Sequence, residues 1–82
     1  MSYEVLVLRR AARQLANLPP DVYTAVRDRI RELSTAALPP ESEKSAGREG
    51  WRVPAGRYRV IYKVDSAAAR VTVLDVSPRS DA

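Results

Sequence analysis

Two hydrophobic periods alternate along the chain, and the points where one gives way to the other mark the predicted elements. "YEVLVL" (3–8) is rich in Val and Leu over too few residues for a helix of its own, which predicts a strand. From Leu8 the period lengthens. Leu8, Ala11 or Ala12, Leu15 and Leu18 recur at helical spacing, with Arg9, Arg10, Arg13 and Gln14 on other faces. This predicts a short amphipathic helix ending near Asn17.

"LPPD" stops that helix, because a proline lacks a backbone donor and biases the residue before it away from helix. The same prolines open the next helix at its first turn, where Asp21 suits the positive end of the dipole. Val22, Val26, Ile30 and Leu33 then form an apolar stripe, with Arg27, Asp28, Arg29, Arg31 and Glu32 expected in water. The second helix is expected over roughly residues 20–35.

Residues 36–49 combine two prolines, small polar residues and mixed charge, and read as a long surface connection. Period two returns in "WRV" (51–53), "RYRVIYKV" (57–64) and "RVTVLDV" (70–76), joined through "PAG" and "DSAAA". The order β-α-α-β-β-β predicts one α+β domain over residues 1–82. A helical hairpin covers one face of a largely antiparallel four-stranded sheet.

Composition narrows the chemistry. Cysteine and histidine are both absent, which removes thiolate nucleophiles, imidazole proton shuttles and the commonest zinc ligands. No metal site and no cofactor are expected. The apolar run before Arg9 is far shorter than the roughly 20 residues of a membrane span, so a soluble, cytoplasmic protein without membrane association is expected.

The net charge is +4, and all of the excess lies in one half. Residues 1–43 hold six basic and six acidic side chains, whereas 44–82 hold eight basic and four acidic. A field of that kind favours a polyanionic partner through steering and counter-ion release.

Alternation assigns the charge to a face. Tyr58, Val60, Tyr62 and Val64 share the side expected under the helices, and Arg57, Arg59, Ile61 and Lys63 share the other. A hairpin register that sets Arg52 beside Arg59 crowds like charges. Glu49, Asp65 and Asp75 are few to relieve it, and a phosphate-bearing ligand would. Trp51, Tyr58 and Tyr62 are expected in or beside the core. Arg9, Arg10 and Arg13 are expected on a solvated helix face.

"GWRVPAGRYRVIYKVD" with the downstream "VTVLDVSPRSD" resembles the RelE/ParE superfamily of bacterial toxin–antitoxin toxins, most closely its RelE branch. Relatives typically read "WRVRVGDYRVIYEID" here. The resemblance implies a toxin that cuts messenger RNA in the ribosomal A site without metal. It drives the ribose 2′-hydroxyl onto the adjacent phosphate and leaves a 2′,3′-cyclic phosphate and a 5′-hydroxyl.

Carried over by position, the resemblance implies catalytic roles for Arg59, Arg79 and Arg52, with Lys63, Arg57 and Arg48 as substrate-binding candidates. Pro54 replaces a second basic residue implicated in proton transfer, and the chain ends at Asp81-Ala82 where relatives place a tyrosine. Arginine cannot serve as the base, because its pKa lies above 12. Lys63, Glu49, Asp81 or a tyrosine remain as substitutes.

The implied partners are a cognate antitoxin, the ribosome with its messenger RNA, and operator DNA only through the antitoxin complex. Two alternatives stay open: a ParE-like poison of DNA gyrase without enzymatic activity, and a degenerate toxin acting only in complex with its antitoxin.

Overall fold

The computed structural model describes residues 2–45 and 50–79. Its elements are β1 (Glu4–Val7), α1 (Arg9–Ala16), α2 (Pro20–Glu32), β2 (Glu43–Lys44), β3 (Trp51–Ala55), β4 (Tyr58–Asp65) and β5 (Arg70–Pro78). The five strands form one sheet in the order β1-β5-β4-β3-β2. β1 runs parallel to β5, and every other pairing is antiparallel. This is the expected α+β architecture with one addition. The added strand is β2, two polar residues set against Arg52 and Trp51, too short to show alternation.

Local signals explain α2 better than α1. α2 opens with Pro20 at its first position and Asp21 in its first turn, then buries Val22, Val26 and Ile30 one turn apart. It ends at Glu32, short of the expected residue 35, and the chain tightens into turns that bury Leu33 completely. α1 has only eight residues, no side-chain cap and two arginines at its positive end. A helix that short is marginal alone, so docking must hold it.

The docking interactions are specific. Ala11 is fully buried, and Leu15 and Leu18 pack on the core. Gln14 Oε1 accepts the Val76 N–H at 2.8 Å, while Gln14 Nε2 donates to Asp75 Oδ1 at 2.9 Å. Arg10 joins the same carboxylate at 3.2 Å. β1 stops opposite Val73, so the edge of β5 beyond it lacks a strand partner, and the Gln14 amide takes that place.

Both helices lie on one face of the sheet. Val53 and Ala55, Val60 and Tyr62, and Val71, Val73 and Val76 line that face and form the core with α2. β5 keeps its valines inward through a bulge: Ile61 pairs with Asp75 and Tyr62 with Val73, which leaves Leu74 unpaired. Without that extra residue, strict alternation would carry Val76 to the outer face.

Pro54 lies within β3, whereas the sequence pattern sets it in the turn. Its carbonyl accepts Arg29 Nε at 2.9 Å rather than a β4 donor. In an antiparallel pair the N–H and C=O of a residue point the same way, so the missing N–H faces the open side that β2 does not reach. The turn proper is Gly56-Arg57, with Gly56 at φ +62°.

Candidate phosphate-binding cleft

On the open face of the sheet, Arg52, Val53 and Pro54 of β3, Arg59 of β4, Arg79 beyond β5, and Glu41 and Glu43 line a cleft of about 230 Å³. Arg52, Arg59 and Arg79 are thus brought together. Their arrangement departs from a direct pair: Arg52 stands opposite Ile61, and Arg59 opposite Pro54. The two arginines are diagonal neighbours, roughly 7–8 Å apart at the backbone, which lowers the repulsion expected of a face-to-face pair.

The three cations have different surroundings. Arg52 donates through Nη2 to Glu43 Oε2 at 3.1 Å, across the β2–β3 pairing that sets the two residues opposite each other. Arg79 is exposed. Its backbone N–H donates to the Arg57 carbonyl at 2.9 Å and fixes the chain over the β3–β4 turn, with Nη1 3.5 Å from the Gly56 carbonyl. Arg59 lies between Pro54 and Ser77, neither of them charged. Its Nε is buried and unpartnered among the described residues. A buried donor without an acceptor costs about 1–3 kcal/mol, more when charged, so Arg59 has the greatest demand for an incoming anion.

Glu41 and Glu43 went unrecognised in the sequence because they fall in a stretch that reads as a connection. The local pattern does not mark them, because Glu41 sits in a turn and Glu43 in a strand of two residues. Arg29, expected in solvent, holds this segment instead: its side chain is only 20% exposed. Beyond Pro54 it reaches Glu32 at 3.2 Å and Glu41 at 3.4 Å.

Tyr62 anchors the same segment from below. It is fully buried, and its hydroxyl donates to the Ala37 carbonyl at 2.8 Å. Burial pushes its pKa above the ordinary 10.0, against the opposing pull of a Ser42 side-chain hydrogen bond and the Arg29 charge.

The other sequence candidates lie elsewhere. Lys63 is exposed on the cleft's face of the sheet but borders a separate hollow with Lys44, Arg70 and Thr72. Arg57 sits in the β3–β4 turn beside Asp21, Val22 and Ala25 of α2. Arg48, with Glu49 and Asp81, lies outside the described residues. Trp51 is half-buried against the core with the Lys44 ammonium 6.0 Å from its ring centroid. Ile61 is only 4% exposed yet stands apart from the main core, flanked on its strands by Arg52 and Asp75.

Over residues 5–82 the sequence matches the family model described as the ParE toxin of type II toxin–antitoxin system, parDE. The chain belongs to the ParE toxin family. Solved structures place this ParE-family toxin within the wider RelE/ParE superfamily. The toxin in the RelBE2 toxin–antitoxin complex from Mycobacterium tuberculosis is 29% identical, with a TM-score of 0.83 over 96% of this chain and 100% of that one. A chain of the archaeal RelE–RelB complex from Pyrococcus horikoshii OT3 is 26% identical, with a TM-score of 0.84 over the whole of both chains. The intact E. coli RelBE complex, at 16% identity and a TM-score of 0.79 over 96% of this chain and 99% of that one, supports the fold alone. A search of curated proteins gave no significant match. No helix among the described residues is long and apolar enough to cross a membrane.

Proposed function

We propose that this toxin is a ribosome-dependent endoribonuclease that cleaves messenger RNA in the A site through metal-independent attack by the ribose 2′-hydroxyl. The observation that carries the proposal is Arg59, whose buried Nε has no partner in a cleft that Arg79 also borders. Transfer to the adjacent phosphorus builds charge on its equatorial oxygens, and preorganised guanidinium donors stabilise such charge at little reorganisation cost.

Glu43 takes the role of proton acceptor that arginine cannot fill. Its carboxylate lines the cleft and is held by Arg52, so it receives the 2′-hydroxyl proton as the oxygen attacks phosphorus. The bond to the 5′-oxygen breaks, which leaves a 2′,3′-cyclic phosphate on one fragment and a 5′-hydroxyl on the other. The departing oxygen needs a proton, and the ionisable side chains of the described lining are three arginines and two glutamates, none of which takes the role of donor in this reading. Ribosomal groups or ordered water supply that proton. The reading therefore expects dependence on the ribosome and weak activity on free RNA.

The partner that restrains the toxin is a cognate antitoxin, as in the RelBE2 and archaeal RelE–RelB complexes, and operator DNA is reached only through that complex. An acidic segment laid over the cleft would neutralise charge and block access together.

Primer-extension mapping of messenger ends after brief induction tests the reading. New ends in register with the A site are expected, and Arg59→Ala should remove them in a folded protein. Ends that persist in both Arg59→Ala and Arg79→Ala would show that the cleft is not the site.

The ParE family match favours a second reading, a gyrase poison. Gyrase-linked DNA cleavage in a supercoiling assay, with no messenger cleavage on ribosomes, would establish it in place of the first.

A further inference from the structure

A second set of cations lies beyond the cleft, where β4 outruns β3: Lys63 and Arg70 project from the open face, and Lys44, paired with Trp51, approaches from the edge of the sheet with its ammonium 6.0 Å from the Trp51 ring centroid. β4 has no bulge of its own, so Arg59, Ile61 and Lys63 project from the same face. At about 3.3 Å per residue, Lys63 stands roughly 13 Å along the strand from Arg59. There Lys63, Lys44 and Arg70 border an open hollow of about 550 Å³ together with Asp65, Ser66 and Thr72.

Two described acids lie on this side. Glu4 pairs with Arg70 at 3.0 Å, and Asp65 accepts the Ala68 N–H at 3.1 Å to close the β4–β5 turn. Between the hollow and the cleft, Glu43 is matched by Arg52, and Asp75 by Arg10 and Gln14. Lys44 and Lys63 form no ion pair among the described residues. Among the described residues, a polyanion leaving the cleft along β4 therefore meets two ammoniums without ion pairs against one such carboxylate, that of Asp65 at the turn.

We propose that this hollow is a second phosphate subsite, which holds the backbone of single-stranded RNA flanking the position cleaved, with Lys44 and Lys63 as its cations. The proposal rests on the ribonuclease reading of the cleft. The division of residue types fits it: arginine forks stand where phosphate geometry must be fixed, and lysine point charges stand where backbone charge need only be held. Such a subsite adds affinity that depends on RNA length and is indifferent to base sequence.

The test uses the full chain and two uncleavable probes: a 2′-O-methyl single-stranded RNA of about ten nucleotides, long enough to span both sites, and a 2′-O-methyl trinucleotide. Affinity is measured by fluorescence anisotropy over a salt series. For Lys44→Ala/Lys63→Ala, the slope of log affinity against log salt for the long RNA should shrink by about 1.4, at about 0.7 for each phosphate that the protein no longer neutralises. Trinucleotide binding should stay unchanged, and Lys63→Glu should weaken the long RNA further. Both lysines are exposed, so an unaltered thermal melt is expected to confirm folding.

An unchanged slope, or equal losses for both probes, overturns the subsite. So does a variant that keeps its RNA affinity and loses only antitoxin binding. Messenger cleavage by the same variants, by Arg59→Ala and by Arg79→Ala separates the two claims. Cleavage lost in Arg59→Ala with an unchanged slope in the lysine variant removes the subsite alone, whereas cleavage that survives both Arg59→Ala and Arg79→Ala removes the cleft as the site of cleavage, and the subsite with it.

Discussion

Tyr62→Phe deletes one oxygen atom and tests how the acidic side of the cleft is held. The hydroxyl donates to Ala37 at 2.8 Å from a fully buried ring, and Ala37 is itself only 8% exposed. Phenylalanine keeps the packing, so the cost is the lost bond and a carbonyl left with poor access to water, about 1–3 kcal/mol. In a domain of this size each kcal/mol corresponds to about 4–8 °C in Tm. A fall of several degrees is expected in a thermal melt at pH 8.

The same substitution has a signature in pH. Burial raises the Tyr62 pKa above 10.0 in the folded state, so the unfolded chain releases this proton first as pH rises. The stability linked to Tyr62 is complete below about pH 10 and is lost as pH climbs through the raised value. Wild type and Tyr62→Phe should converge in stability at strongly alkaline pH, because phenylalanine has no proton to release. Other titrating groups are common to both proteins and cancel in the difference. An equal melting temperature at pH 8, or a gap that stays constant up to the alkaline limit, would refute the assigned role of the hydroxyl.

Glu43→Gln should lower cleavage on ribosomes by about 10²–10⁴-fold, as for loss of a positioned base, while binding of 2′-O-methyl RNA holds or tightens; equal losses in both would remove Glu43 from proton transfer. Gly50→Ala combines φ +121° with a new Cβ only 2.8 Å from the Tyr62 carbonyl oxygen, and backbone strain alone should cost about 1–3 kcal/mol in denaturant unfolding. Gln14→Leu strips the partner from the Val76 N–H, so hydrogen exchange at that amide should accelerate ahead of amides in the β3–β4 ladder.

The fold was legible where period and burial agree. Val22, Val26 and Ile30 announce α2, and the alternation in "RYRVIYKV" correctly sends Val60 and Tyr62 inward. It was illegible where tertiary contacts override the local pattern. Nothing in "VTVLDV" marks the unpaired Leu74, because the bulge exists to match β5 to β4. Arg52 and Arg59 could be assigned to the outer face from alternation alone, whereas Arg79, beyond β5, was reached only through the family resemblance. The neutralisation of Arg52 was not legible, because Glu43 meets Arg52 only through the register of a two-residue strand.

Arg29 shows why the acidic half of the cleft and the stability of the domain are coupled. The described part of the segment between α2 and β3 contributes β2 to the sheet and is held by side chains: Leu33, Ala37 and Pro39 are buried, Tyr62 bonds Ala37, and Arg29 bonds Glu41. The cationic half stands on the central ladders of β3, β4 and β5, where backbone pairing fixes Arg52 and Arg59 without help. Local opening therefore reaches the glutamates at lower free energy than the arginines. Destabilisation at Tyr62 or Arg29 should first uncouple cleavage from RNA binding, because the chain loses its proton acceptor while its phosphate grip stays in place.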